Sequence, residues 1–377
     1  MRILHISFET PSRSHGKGWR VLQSFLSLQP HGSVTYMGPA PEDPSAFGEP
    51  ILMEESNRRI CGWFRRFRGL PVALYDGWKK AARHADWRGY DAVFVDGSRY
   101  DFVLRRARKK DLKVLVRVHH VEQDWARALL NTDRSLRARF TLAAVCRREK
   151  RAMDMAHRLI FTTREDLDRA CSLYGESLRE KSLVTPICLM GPDDLEVHVN
   201  VPEKYLLATG SLDLGPNAEG IKWFIRQIWT PLRTQPHMKD VALVVAGRRP
   251  DEEMRQLCEN APDCWLVDSP PDMTPYFQHA NLYVAPSLYG PGMKVKVAEA
   301  LSYGLRVIGS PHALIGYTEI ARFALTAQTE DDWRRLISRY VHTDGLQQRL
   351  ECQWAYKDLY TIRRSAADFG RALNRIL

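Results

Sequence analysis

A strand, a glycine-rich turn, a helix and a second strand follow one another between residues 282 and 311, and this order constrains the fold more than any other stretch. The apolar residues 282–284 form the first predicted strand, and the turn after them contains Gly290 and Gly292. Gly304 is placed to end the helix before the next apolar run, at residues 306–308. A unit of this kind predicts an α/β fold in which parallel strands alternate with helices.

The glycine turn of this unit is suited to an anion. Free backbone N–H groups and the positive end of a helix dipole point into such a turn, and Lys294 and Lys296 add two full charges there. Glu299 follows further along the same helix, where a carboxylate would hold a pair of ribose hydroxyls. These residues predict a nucleoside diphosphate pocket. An ordinary strand-to-helix turn with solvated lysines is the alternative interpretation.

The same alternation continues along the rest of the chain. Residues 1–7 predict a first strand, and the β-branched runs at 91–96 and 113–120 are typical of parallel strands buried on both faces. Charged residues, proline and glycine interrupt the pattern at residues 187–205. The predicted parts of the chain are therefore an N-terminal domain at 1–190, a linker at 191–204, a C-terminal domain at 205–355 and a terminal helix at 356–377.

Composition limits the class of protein. A chain of 377 residues that is 44% apolar and 27% charged is long enough for two ordinary domains. No stretch reaches the ~18 apolar residues of a membrane span, and the first residues lack a secretory signal pattern, so we expect a cytoplasmic protein. The seven cysteines include no CxxC pair, and we expect neither a disulfide framework nor a zinc site.

Positive charge is concentrated in the N-terminal half of the chain. The net charge is +10, and residues 1–200 contain 34 Lys and Arg against 25 Asp and Glu. A basic surface favours anionic lipid, an acidic glycan or nucleic acid. Residues 57–70 interleave arginines with large apolar residues, so a helix there would lie on an anionic membrane surface or bury its aromatic side chains in a core. No nucleic-acid-binding module is recognised, which makes nucleic acid an unlikely partner.

Two further strand ends carry candidate site residues. Gly16 and Gly18 follow the first strand, where they would let a backbone approach a phosphate or would simply form a tight turn. His119, His120 and Glu122 follow the strand at 113–120, at the edge where open α/β sheets place their ligands. Histidines at a strand end are also commonly structural, and both interpretations stay open.

The stretch from residue 285 to 311 resembles the donor site of the retaining, nucleotide-sugar-dependent glycosyltransferases of family four (glycosyl transferases group 1). Its Gly290, Gly292, Lys294 and Lys296 resemble the branch with a Gly-x-Gly-x-Lys-x-Lys pattern, and Glu299 matches the second of two glutamates in many members. The resemblance covers most of residues 205–325 and extends more faintly to 1–20 and 91–165. It implies the GT-B fold, an α/β architecture of two facing Rossmann-like domains with parallel sheets and a C-terminal helix that crosses back to the N-terminal domain.

The resemblance also implies roles for individual residues. The implied catalytic residues are His119, Lys294 and Glu299, and the implied acceptor-side residues are His120 and Glu122. The implied donor-binding residues are Gly16, Gly18, Ser211, Asn217, Arg248, Asp268, Tyr289, Gly290, Gly292, Met293, Lys294, Lys296 and Glu299.

Two positions depart from the family pattern. The earlier glutamate, which contacts the transferred sugar in the family, is Pro291 here, so the identity of the sugar stays open. Many members also place an arginine directly after Gly210 and a lysine a few residues later, both on the diphosphate. This chain has Ser211 and no lysine before Lys222, and Arg248 would supply part of the missing charge.

The implied activity is transfer of a sugar from a nucleoside diphosphate sugar to a hydroxyl of a glycan, a lipid-linked glycan or a protein, with retention of the anomeric configuration, as in polysaccharide biosynthesis. No cofactor and no metal is implied, and no Asp-x-Asp motif lies beside the predicted site. The enzyme is expected in the cytoplasm, where residues 57–70 would contact the inner face of the membrane. Two alternatives stay open: a nucleotide-sugar epimerase of the same fold, and a non-catalytic relative that binds nucleotide or nucleic acid.

Overall fold

The structure, a computed structural model, describes residues 1–12, 16–55, 73–132, 135–189, 200–213, 215–343 and 345–376. The basic stretch at 57–70 and most of the predicted linker at 191–204 lie outside these residues. The chain forms two compact units. The first unit comprises Met1–Cys188, Pro291–Met293 and Ile362–Leu377, and the second comprises Leu189–Gly290 and Lys294–Thr361.

The first unit is built on a parallel sheet of seven strands in the order β3-β2-β1-β4-β5-β6-β7. The strands are β1 (Arg2–Ile6), β2 (Ser33–Gly38), β3 (Ile51–Leu52), β4 (Ala92–Asp96), β5 (Lys113–Val118), β6 (Arg158–Phe161) and β7 (Ser182–Val184). The helices are α1 (Gly16–Leu28), α2 (Tyr75–His84), α3 (Asp101–Arg108), α4 (Glu122–Thr132), α5 (Leu136–Met155), α6 (Arg164–Tyr174) and the terminal helix (Ile362–Asn374). Short 3-10 helices lie at Gln29–His31, Pro44–Phe47, Trp87–Gly89 and Glu176–Lys181.

The strands at the centre of this sheet are buried on both faces, as their β-branched sequences predict. Every residue of β4 is buried, and so is every residue of β5 after Lys113. The terminal helix packs within this unit, where Phe369 is fully buried and stacks on Phe94 of β4, with ring centroids 5.2 Å apart. This helix begins at Ile362, where the sequence predicted a start at residue 356.

The second unit is built on a parallel sheet of six strands in the order β10-β9-β8-β11-β12-β13. The strands are β8 (Tyr205–Ser211), β9 (Ala242–Arg248), β10 (Cys264–Asp268), β11 (Leu282–Ala285), β12 (Val307–Gly309) and β13 (Ala324–Thr326). The α-helices are α7 (Pro216–Phe224), α8 (Thr230–Arg233), α9 (Glu252–Asn260), α10 (Thr274–His279), α11 (Val295–Ser302), α12 (Glu330–Tyr340) and α13 (Leu346–Leu359). A π-helical turn (Ile225–Trp229) joins α7 to α8, and 3-10 helices lie at Pro236–Met238 and Thr318–Ile320.

Each unit has a core of its own. In the second unit the buried aliphatic residues of β8, β9 and β11 pack with Trp229 and Trp333, which are 0% and 2% exposed. The two parallel sheets with flanking helices confirm the predicted α/β class. Among the described residues, no helix combines the length and the apolar character that crossing a membrane requires.

Candidate functional site

The strand order of the second sheet reverses between β8 and β11, and this point places the candidate donor residues. In the order β10-β9-β8-β11-β12-β13, β9 and β10 are added on one side of β8, and β12 and β13 are added on the opposite side, next to β11. Ligands bind open α/β sheets outside the carboxyl ends of the strands at such a reversal. Ser211 lies opposite Arg248, and Gly247 lies opposite Asp268, so the predicted residues at three strand ends share one edge of the sheet.

The glycine turn after β11 has the backbone that its sequence predicts. Gly290 and Gly292 have φ angles of 106° and 76°, which glycine adopts without strain. Lys294 is the N-cap of α11, and its Nζ donates a hydrogen bond to Gly290 O at 2.9 Å. The hydroxyl of Tyr317 donates to Lys294 O at 2.6 Å and fixes the start of the helix. The Lys294 side chain does not cap the first turn of α11, and Val297 N already donates to Lys294 O at 3.0 Å.

Two ionisable side chains on α11, Lys296 and Glu299, have neither an ion pair nor a hydrogen bond among the described residues. Burial lowers the pKa of Lys296 to about 7, with a smaller contribution from the charge of Lys294. Burial also raises the pKa of Glu299 to about 7, with a contribution from Asp272. Burial thus disfavours the charged form of each side chain. A bound anion beside Lys296, or bound hydroxyls beside Glu299, would favour the charged forms.

Asn217 at the start of α7 holds the end of β8. Its Nδ2 donates to Thr209 O at 3.2 Å and to Ser211 O at 3.1 Å, while its Oδ1 is buried without a partner among the described residues. A Cβ atom on Gly210 would lie 2.1 Å from this Nδ2, so the amide occupies the space that only glycine leaves free. Asn217 therefore shapes the loop at the reversal point.

Tyr289 in the glycine turn is tied to α7. Its hydroxyl donates to Glu219 Oε1 at 2.9 Å, which joins the glycine turn to α7, the helix that follows β8. No local sequence pattern indicates Glu219 or Tyr317, because their contacts depend on tertiary packing.

Arg248, Asp268 and Lys222 differ in their availability to a ligand. Lys222 donates to Asp251 Oδ2 and Glu253 Oε2, both at 2.6 Å, and is occupied there. The carboxylate of Asp268 accepts a hydrogen bond from Ser269 at 2.7 Å and forms an ion pair with Arg255; both interactions lower its pKa. Arg248 is exposed at the end of β9, and its guanidinium is the candidate to add positive charge at this edge.

In the first unit, a buried carboxylate organises the sheet edge at the corresponding reversal between β1 and β4. Asp96 ends β4, and its carboxylate lies 2.5 Å from His5 Nε2, 2.9 Å from Ser24 Oγ and 3.3 Å from His119 Nε2. Burial alone would raise the pKa of Asp96, but the two histidines outweigh it and hold the pKa below its ordinary value. Arg117 Nη1 donates to Ser24 Oγ at 3.0 Å and extends the network.

His119 is held as a neutral imidazole in this network. Burial lowers its pKa to about 3, and the hydrogen bond with Asp96 opposes the shift only in part. Its Nε2 faces the Asp96 carboxylate, which assigns the proton to that nitrogen. The neutral imidazole can therefore accept a hydrogen bond at Nδ1, which is buried without a partner among the described residues.

His120 and Glu122 follow at the start of α4. The imidazole of His120 lies 3.8 Å from Glu122, whose other neighbour is Arg99 at 3.6 Å. Burial would raise the pKa of Glu122, but Arg99 and His120 lower it to about 2, so this carboxylate is ionised. The predicted acceptor-side residues are therefore placed together, with Arg99 as a partner that the sequence did not indicate.

These groups line a cleft of about 150 Å³ in the first unit. Its lining residues are Glu9, Lys17, Arg20, Val21, Asp96, Gly97, Arg99, Tyr100, His119, His120, Glu122 and Trp125.

Gly16 and Gly18 lie at the start of α1. Gly16 is the first residue of the helix, and a Cβ atom on Gly18 would lie 2.5 Å from Ser12 Cβ and 2.8 Å from Thr10 O. Close packing of α1 on the preceding loop thus requires glycine at position 18. The remaining predicted residue, Met293, is buried in the first unit. Among the described residues, no three His, Cys, Asp or Glu side chains are grouped so that they could hold a metal ion.

Comparison with known proteins adds a family match to part of the chain. Residues 203–339 match the family model described as Glycosyl transferases group 1. This range contains the glycine turn, Lys294, Lys296 and Glu299. No curated protein matches the sequence.

Solved structures are similar over the whole chain. HepE of Anabaena, in complex with UDP and glucose, is 13% identical, with complete coverage of both chains and a TM-score of 0.66. WaaG, a glycosyltransferase involved in lipopolysaccharide biosynthesis, is 14% identical over 97% of this chain and 99% of its own, with a TM-score of 0.65. An α,α-trehalose-phosphate synthase (UDP-forming) from Burkholderia xenovorans, in complex with glucose-6-phosphate, is 12% identical over 99% and 100%, with a TM-score of 0.63. The chain therefore has the GT-B fold, and its residues 203–339 are similar to Glycosyl transferases group 1.

Proposed function

We propose that this chain is a retaining glycosyltransferase that moves a sugar from a nucleoside diphosphate sugar to a hydroxyl of a glycan, a lipid-linked glycan or a protein, without a metal or cofactor. The observation that carries the proposal is the pair Lys296 and Glu299. These ionisable side chains have no partner among the described residues, and they lie behind a glycine turn at the reversal point of a parallel sheet. A diphosphate would meet Lys296 and the N-terminal end of α11, and ribose hydroxyls would meet Glu299. The family match over residues 203–339 supports this assignment.

In the proposed reaction, the main task of the protein is to stabilise the leaving diphosphate. Negative charge grows on the bridging oxygen as the glycosidic bond breaks, and positioned cations and N–H groups act on that growing charge. Lys294 and Lys296 are the proposed cations. The acceptor oxygen would attack from the side on which the diphosphate leaves, and its proton would pass to a phosphate oxygen, which retains the configuration. We place neutral His119 beside the transferred sugar.

Nucleotide binding provides the first test. Thermal-shift measurements with UDP, GDP, ADP and their glucose conjugates, in the presence of EDTA, should show stabilisation by one base, because a ligand at 100 times its Kd stabilises by about 2.7 kcal/mol. UDP is the first candidate, since the similar HepE structure is a complex with UDP. Lys296→Met and Glu299→Gln should each reduce the shift, whereas Lys239→Met, at an exposed position of the same unit, should not. Absence of stabilisation by every nucleotide would contradict the proposal.

Steady-state kinetics on the identified donor test the role of Lys294. Lys294→Ala should lower kcat far more than it weakens donor binding, by roughly a hundredfold, because the contact strengthens toward the transition state. Lys294→Arg should be a poor replacement, because a planar guanidinium cannot occupy the place of a compact ammonium beside Gly290 O. Turnover within about twofold of wild type for Lys294→Ala would remove this lysine from the mechanism. NMR of the product would show whether the anomeric configuration is retained.

The proposed location is the cytoplasm, with residues 57–70 in contact with the anionic inner face of the membrane. Five arginines among large apolar side chains support this part of the proposal. Sedimentation with neutral and anionic liposomes tests it, and equal partitioning to both would contradict it.

A further inference from the structure

An arginine in the first-unit cleft forms no ion pair with the part of the chain that the structure describes. Arg20 lies on α1, and its hydrogen bond runs from Nε to Gly16 O at 3.4 Å, one turn back along the same helix. Its guanidinium forms no ion pair with any described carboxylate, yet it lines the cleft together with Asp96 and His119. Burial lowers the pKa of Arg20, and the surrounding carboxylates oppose this shift only in part.

The other charged groups that line the cleft have partners. Lys17 lies 3.4 Å from Glu9, and Arg99 lies 3.6 Å from Glu122. Of the three carboxylates that line the cleft, Glu9 and Glu122 are thus paired with other cations, and Asp96 contacts His5, Ser24 and His119. Glu9, Asp96, Glu122 and Asp166 act on Arg20 without forming an ion pair with it, and burial outweighs their effect on its pKa.

Arg20 shares the nearby carboxylate of Asp96 with a second, buried arginine. Arg117 is fully buried in β5, and Arg20 and Arg117 both act on the single carboxylate of Asp96. His119 stays neutral partly because these two guanidinium groups oppose its protonation. An oxyanion bound at Arg20 would therefore give this guanidinium the close counter-ion that it lacks among the described residues.

The cleft also offers contacts for a sugar ring. The indole of Trp125 is 41% exposed at the lining, and an exposed aromatic face in a cleft provides an apolar surface against which a ring can pack. His120 and Glu122 lie beside it with groups that bind hydroxyls.

We infer that the acceptor is an anionic sugar, and that Arg20 binds its phosphate or carboxylate group in the cleft while Trp125, His120 and Glu122 contact the ring. Arginine suits this role because its planar fork matches either oxyanion in bidentate geometry. The inference rests on the proposed transfer function, because it names the class of acceptor for that reaction.

Calorimetric titration of the full chain tests the inference without the transfer reaction. The probes are a hexose 6-phosphate series, the corresponding hexuronates and the neutral hexoses, each without donor. The wild-type protein should bind at least one anionic series roughly tenfold or more tightly than the neutral hexoses. Tighter binding of the phosphates identifies the oxyanion as phosphate, and tighter binding of the uronates identifies it as carboxylate.

Variants connect the preference to Arg20. Arg20→Gln should remove the tenfold preference, and Arg20→Lys should retain part of it, because the charge remains but the fork is lost. Arg83→Gln, at an exposed position of α2, should leave the preference unchanged. The Kd for the identified nucleotide should change by less than about twofold in all three variants.

Two results would overturn the inference. One is equal binding of charged and neutral hexoses by the wild-type protein. The other is a loss of nucleotide affinity in Arg20→Gln with unchanged sugar binding, which would assign Arg20 to the donor. Both differ from failure of the proposed function, which would appear as a wild-type protein that binds no nucleotide at all.

Discussion

Glu299 is a carboxylate that the unliganded protein holds away from its ordinary ionisation. Burial raises its pKa from 4.5 in the unfolded chain to about 7 in the fold. The folded state therefore binds the proton more tightly than the unfolded state does. The stabilisation that comes from this tighter proton binding is complete below pH 4.5 and is lost as the pH rises through 7. At pH 8 Glu299 is ionised in both states, and burial of its charge then costs the fold the full free energy that corresponds to the pKa shift.

Replacement of Glu299 by glutamine should consequently stabilise the unliganded protein in a pH-dependent way. We expect a gain of about 1 to 3 kcal/mol at pH 8 and a smaller gain at pH 5.5, because glutamine has no charge to desolvate. Denaturant unfolding at both pH values measures the difference. Glu259→Gln, at an exposed position of α9, provides the control. An equal gain in stability at the two pH values would show that the pKa of Glu299 is not raised in the fold.

Residues whose role follows from local sequence could be predicted, whereas residues whose role depends on distant partners could not. The turn glycines were predicted because a strand followed by closely spaced glycines and lysines signals its own backbone conformation. Asp96 was missed, because a lone aspartate at a strand end carries no signal. Its role depends on His5, 91 positions earlier, which pairing of β1 with β4 brings within 2.5 Å.

At the scale of elements, the start of α4 depends on a carboxylate from α5. Glu149 is fully buried; its Oε1 accepts hydrogen bonds from Glu122 N at 2.8 Å and Ser98 Oγ at 2.9 Å. Its Oε2 accepts from Gln123 N at 3.0 Å and from Tyr174 Oη at 2.7 Å. One side chain therefore caps the helix that presents Glu122 to the cleft.

Glu149→Gln should loosen the first turn of α4. An amide offers one acceptor oxygen where the carboxylate offers two, so at least one buried donor loses its partner, at a cost of about 1 to 3 kcal/mol. Hydrogen exchange of the backbone amides of Glu122 and Gln123 should become faster. Glu165→Gln, at an exposed position in the first turn of α6, is the matched control and should leave this exchange unchanged. Unaltered protection at Glu122 and Gln123 in Glu149→Gln would contradict the capping role.

Element types were more predictable than element ends. The strands β4 and β5 were predicted because their β-branched residues suit burial on both faces. The start of the terminal helix was not predicted correctly, since neither glycine nor proline marks the break between α13 and Ile362. The break follows Tyr360, which is 2% exposed and stacks on Tyr356 with ring centroids 5.1 Å apart. Burial of that ring is a tertiary preference that local sequence does not show.

At the scale of the whole molecule, the chain returns at its C-terminus to complete the core of the first unit. Phe369 stacks on Phe94 of β4, and the guanidinium of Arg117 lies 5.5 Å from its ring centre. A segment that is last in sequence thus supports the strand that ends at Asp96. The second unit has its own counterpart, Phe224, which is fully buried and packs edge-on against Trp333 at 5.4 Å.

This arrangement predicts that the two cores respond separately to truncation of a buried aromatic ring. Phe369→Ala should destabilise the first unit by about 3 to 5 kcal/mol, since it leaves a cavity beside β4. Phe224→Ala should destabilise the second unit by a similar free energy. Hydrogen exchange followed by mass spectrometry should show faster exchange of β1, β4 and β5 in the first variant and of β8, β9 and β11 in the second.

Nucleotide affinity, which we assign to the second unit, should survive Phe369→Ala. Equal loss of protection in both sheets from either variant would show that the two cores unfold as one, and a loss of nucleotide binding in Phe369→Ala would show that the donor site depends on the terminal helix.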